Sequence, residues 1–98
     1  MLDSLDPAAA QPEHCVPVRF SLDAQAGPGL LSRVIAPFCR RGLDPQDMRA
    51  RSLGAGPMHV ELTLAAVPLA MVRQIEGNLQ QIAGVTRVEV QLRARAVA

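Results

Sequence analysis

From Cys15 onward, apolar and polar residues follow two periods in turn. Val16, Val18, Phe20 and Leu22 alternate with Pro17, Arg19 and Ser21, the period of two that a strand with one buried face requires. Pro17 has no N–H to offer, so pairing either starts after it or leaves that side unpaired. Leu30, Val34 and Phe38 are then spaced by four, and Leu31, Ile35 and Cys39 repeat the spacing beside them. Together they predict one apolar stripe on a helix from about Pro28 to Arg41. Pro28 suits the first helical position, Gly42 suits the left-handed residue that ends a helix, and Arg40 and Arg41 lie near the negative end of its dipole. Pro37 cannot bond to the Arg33 carbonyl, which predicts a bend or a 3₁₀ stretch.

The pattern then returns to strands. Met48 to Leu53 alternates weakly and is more polar than the first strand, which predicts an edge. Gly54-Ala55-Gly56-Pro57 reads as a hairpin connection. Met58, Val60, Leu62 and Leu64 alternate with His59, Glu61 and Thr63 to give a third strand. Pro68 opens a second helix at its first position, with Leu69, Val72, Ile75, Leu79 and Ile82 on one stripe and Gly84 as its stop. Val88, Val90 and Leu92 alternate with Arg87, Glu89, Gln91 and Arg93 in a fourth strand. Each strand has one apolar side and each helix one apolar stripe. The predicted fold is therefore α+β: a ferredoxin-like βαββαβ domain, its two helices on one face of a four-stranded antiparallel sheet. Right-handed crossovers place the strands in the order 4-1-3-2, with the polar second strand on an edge.

Composition narrows the class of partner. Ninety-eight residues predict one domain, with residues 1–14 as a disordered tail, 15–93 as the folded domain and 94–98 as a second tail. The net charge of +1 argues against strong attraction to nucleic acid or an anionic membrane. Phe20 and Phe38 are the only aromatic residues besides the histidines, so no base-stacking platform is expected. Cys15 and Cys39 stand alone, which predicts free thiols in a reducing, cytoplasmic setting. Residues 1–14 lack the basic start and apolar run of a signal peptide.

Candidate chemistry concentrates at one turn. Gly27 and Gly29 flank the start of the first helix, where backbone N–H groups have no helical acceptor and carry partial positive charge. A carboxylate or phosphate could approach them closely; a tight strand-to-helix connection needs the same glycines. The outward strand positions collect Arg19, Arg49, Arg51, His59, Glu61, Arg87, Glu89, Gln91 and Arg93. They read either as a docking face or as a solvated sheet with cross-strand pairs such as Arg19 with Glu61. His14 and His59 lack metal-ligand partners at useful spacing, so no metal or other cofactor is expected. Cys39 reads as a small core residue. No nucleophile–base set or close carboxylate pair emerges, and Asn78, the only Asn, lies on the second helix. Acylphosphatase-like chemistry on this architecture therefore has little to work with.

The string Gly27-Pro28-Gly29-Leu30-Leu31-Ser32-Arg33-Val34, then Arg40-Arg41-Gly42, then Met58-His59-Val60-Glu61-Leu62-Thr63-Leu64 resembles the ACT domain family. It is similar in particular to the short regulatory subunits of acetolactate synthase that consist of a single ACT domain. The resemblance covers about residues 16 to 92. It implies a non-catalytic regulatory subunit that dimerises through the edge of its sheet at the second strand. It also implies binding to the catalytic large subunit of this thiamine-dependent synthase of branched-chain amino-acid biosynthesis. A small amino acid would bind between subunits, its carboxylate on the N–H groups of Gly29 and Leu30 beside Gly27. Gln25 or Ala26 takes the place of an Asn common in the family before this turn, and Asp44 the place of another that begins the second strand. The other reading left open is an ACT-type sensor or dimerisation module with a different partner.

Overall fold

The computed structural model describes residues 15–52 and 54–93. Both expected tails and Leu53, placed at the end of the second strand, lie outside the described residues. The elements are β1 (Cys15–Gln25), α1 (Leu30–Cys39), β2 (Asp47–Ser52), β3 (Pro57–Pro68), α2 (Leu69–Gln80) and β4 (Val85–Leu92). They form one antiparallel sheet in the order β2-β3-β1-β4. This is the 4-1-3-2 order expected from the pattern, with the polar strand β2 on an edge and all six of its residues exposed.

Alternation decides what is buried. Val18, Phe20, Leu22 and Ala24 of β1 face Leu64, Leu62, Val60 and Met58 of β3 across the ladder. All but Met58 are buried, together with Leu30, Val34 and Phe38 of α1 and Val72, Ile75 and Leu79 of α2. The rings of Phe20 and Phe38 meet edge to face, with centroids 5.2 Å apart at 75°. That geometry suits aromatic quadrupoles and fastens α1 to the central strand.

Several local expectations change. Helix α1 starts at Leu30, because Gly29 caps it in the left-handed region at φ 74°. Pro28 therefore belongs to the turn. Pro37 lies inside α1 and is buried, and no 3₁₀ stretch interrupts the helix before Cys39. Near the end of a helix Pro removes one bond only. Tightening follows it instead. The Gly42 N–H donates to Cys39 at 3.0 Å and the Leu43 N–H donates to Phe38 at 2.9 Å. With Gly42 at φ 69°, this is the Schellman ending that satisfies the last carbonyls. Cys39 is exposed rather than in the core, and Leu31 is 40% exposed. The helix rests on the sheet along Leu30, Val34, Pro37 and Phe38, so the neighbouring stripe is turned away. Likewise Pro68 ends β3 and caps α2 rather than opening it.

β3 runs four residues beyond Leu64, and Cys15 and Val16 pair with Pro68 and Val67. The register shifts between Val16 and Val18, which accommodates Pro17 in a central strand. The Pro17 carbonyl accepts the Arg93 N–H at 2.9 Å.

Candidate functional site

The turn between β1 and α1 is braced from both sides. The Gln25 N–H donates to Gly84 at 2.9 Å, and the Ala26 N–H donates to Gly56 at 2.6 Å. The loops before β3 and before β4 thus hold the segment that leads into Gly27. At Gly29 the positive φ leaves little alternative to glycine. A Cβ there would also stand 3.5 Å from Nη1 of Arg33. Arg33, one helical turn on, folds back so that Nη1 donates to the Pro28 carbonyl at 3.1 Å. A guanidinium and a helix N-terminus therefore share one small exposed region, and both favour an anion. The pattern of apolar residues did not mark Arg33, although its position four residues after Gly29 puts it on this side of the helix start.

The expected site residues divide into two places. Gln25, Gly27, Gly29 and Leu30 come together at this turn, where Leu30 is buried and the other three are exposed. The Leu30 N–H already donates to the Gly27 carbonyl, at a long 3.2 Å. Asp44 is exposed beyond the other end of α1. A helix of this length spans about 15 Å, so within one chain Asp44 does not reach the turn.

The outward face of the sheet holds a second polar group that the pattern left unconnected. Register sets His59 between Asp23 on β1 and Arg51 on β2, with Arg87 on the far side of Asp23. Nδ1 of His59 lies 2.7 Å from Asp23 Oδ1, and Nε2 lies 3.3 Å from Glu61 Oε2. The hydrogen bond to Asp23, helped by Glu61 and opposed by partial burial, raises the His59 pKa above its usual value. His59 is therefore clamped between two carboxylates. The expected Arg19–Glu61 pair does not form. Arg19 lies opposite Thr63 and Gln91, while Glu61 lies opposite Ser21 and Arg49. Arg87 pairs with Glu89 along β4, and Arg49 with Asp47 along β2 at 3.0 Å.

Both ring nitrogens of His59 are engaged by carboxylates on opposite sides, so they cannot also ligate one ion. Among the described residues no group of three or more His, Cys, Asp or Glu side chains could hold a metal. No described helix is long and apolar enough to cross a membrane.

No family model matches the chain, and no curated protein matches it. Solved structures do. An uncharacterised protein from Thermotoga maritima superposes with a TM-score of 0.67 at 15% identity, over 81% of this chain and 98% of that one. The ACT domain of the GTP pyrophosphokinase of Chlorobium tepidum superposes with a TM-score of 0.66 at 12% identity, over 79% of this chain and 86% of that one. The ligand-free regulatory subunit of aspartate kinase from Thermus thermophilus gives 0.59 at 14% identity, over 78% of this chain and 50% of that one. The chain therefore has an ACT-like, ferredoxin-like fold. At such identities the likeness is one of fold alone.

Proposed function

We propose that the chain is a non-catalytic regulatory module that binds a small amino acid at the β1–α1 turn. The observation that carries this reading is the turn itself: Gly29 at φ 74°, a helix start behind it and the Arg33 guanidinium beside it. The ligand carboxylate lies on the N–H groups of Gly29 and Leu30, the latter turned from its long bond to the Gly27 carbonyl, with Gln25 at the rim. The ligand ammonium needs an acceptor, and Asp44 supplies it from a second copy. Two chains paired antiparallel along β2 run in opposite directions, so the start of β2 in one approaches the far end of β2 in the other. An edge strand with unpaired backbone groups favours such pairing.

At the finer level the partner is the catalytic large subunit of acetolactate synthase, and the ligand is a branched-chain amino acid. The motifs from Gly27 to Val34 and from Met58 to Leu64 support this choice. Regulation then works by population shift: the ligand binds one arrangement of the copies better and biases the attached enzyme. The ACT domain among the solved neighbours that belongs to a GTP pyrophosphokinase favours one other reading, the same module with a different partner.

Titration calorimetry on the intact chain with valine, leucine and isoleucine tests the site. Binding of one of them is expected, and Gly29→Val is expected to abolish it. Loss of one charge-assisted bond in Asp44→Ala weakens it about ten- to a hundredfold. No heat from any of the three at millimolar concentration overturns the reading. Assay of an acetolactate synthase large subunit with and without the chain then separates the two partners.

A further inference from the structure

A groove of about 560 Å³ runs between α2 and β4, lined by Leu69, Val72, Arg73, Glu76, Val90 and Leu92. It lies toward the opposite end of the sheet from the glycine turn. Leu92 pairs with Val18, seven residues along β1 from Gln25, or about 23 Å of strand. Val90 and Leu92 stand opposite Phe20 and Val18, so they point to the helix side of the sheet. α2 covers them only in part. Leu92 is 56% exposed and Leu69 is 46% exposed. β4 is also an edge, whose outer backbone groups have no strand beside them among the described residues.

The two edges differ in kind. β2 presents Arg49 and Arg51 on a strand whose six residues are all exposed, the charged protection common on edges. β4 presents an apolar trough with a charged wall. On that wall Arg73 and Glu76 are three residues apart and opposite in sign, and neither makes an ion pair among the described residues. A wall with both signs is poorly matched to a partner of one charge. It is well matched to itself. When a two-fold axis runs two copies of α2 antiparallel, Arg73 of each copy meets Glu76 of the other. The exposed Leu69 and Leu92 of each copy then lie toward the two ends of that contact, where the other copy covers them and they leave water.

We propose that this groove is a self-association surface that receives the same groove of a second copy of the chain. The contact is separate from pairing along β2 and does not rest on amino-acid binding at the turn. Leu92, Arg73 and Glu76 lie outside the buried core, so the variants that test the contact leave that core untouched.

The experiment is light scattering of the full chain at high micromolar concentration, with circular dichroism to confirm folding. The wild type is expected to assemble, and Leu92→Glu is expected to halve its mass, whether or not copies also pair along β2. Arg73→Glu sets two acids against each other and weakens association about tenfold. Adding Glu76→Arg to it restores association, because the exchanged charges again complement one another. A monomeric wild type, an unchanged mass in Leu92→Glu, or a double variant no better than Arg73→Glu overturns the proposal. The first of these outcomes leaves the groove to another protein or a small apolar ligand. Amino-acid binding measured on Leu92→Glu stays at the wild-type level, so failure here is distinguishable from failure at the turn.

Discussion

The two faces of the sheet are built from alternate residues of the same strands, and they obey different rules. On the helix side, Phe20, Leu22, Val60 and Leu62 are buried against one another and against α1 and α2. On the open side, Asp23, His59 and Glu61 lie half-buried in a chain of hydrogen bonds. Burial of apolar area has no direction, so the inner face follows from alternation alone. Polar contacts depend on which residue stands opposite which, and so the outer face follows from register. Ser21 shows the contrast at one position. It is outward and polar, yet only 9% exposed, on a central strand between Glu61 and Glu89.

The sharpest way to test this difference is to cut into the inner face. Phe20→Ala removes the ring that Phe38 meets edge to face and leaves a cavity between β1 and α1. It is expected to cost about 3–5 kcal/mol of unfolding free energy, read by urea denaturation. A cost below about 1 kcal/mol would mean that the inner face is not a packed core.

The outer face should respond less, and in a pH-dependent way. His59 has a raised pKa in the folded chain because Asp23, and then Glu61, accept from its imidazolium. A group whose pKa rises on folding adds stability below its unfolded pKa of about 6.5. That stability is lost as pH rises through the folded value. His59→Gln is therefore expected to destabilise by up to about 1 kcal/mol near pH 6 and to match the wild type near pH 9. Denaturation curves at both values decide it, and a gap that widens with pH contradicts the clamp.

The fold was legible in the chain because its alternation is clean. Val16 to Leu22 and Met58 to Leu64 each carry one apolar side, and two helices with single stripes have one economical place to go. The turn glycines were legible for the same local reason. Pairings were not. Arg19 meets Thr63 rather than Glu61 because β1 and β3 are set in register over a long connection, and no nearby residue encodes that offset. The clamp on His59 was hidden in the same way, since Asp23 is close to it only across the ladder. The place of Asp44 was decidable in principle, because a helix lies between it and Gly29. Cys39 was misplaced because two adjacent stripes of equal spacing on α1 compete, and Phe38, held by Phe20, takes the inner one.

The central functional claim is that the β1–α1 turn, and not another surface, receives an amino acid. Its most direct test is the backbone amide spectrum of the isotope-labelled chain during titration with whichever of valine, leucine or isoleucine binds. The amides of Gly27, Gly29 and Leu30 are expected to shift and saturate together, while those of Val90 and Leu92 in the distant groove stay in place. Amides at the turn that do not move while others do would contradict it.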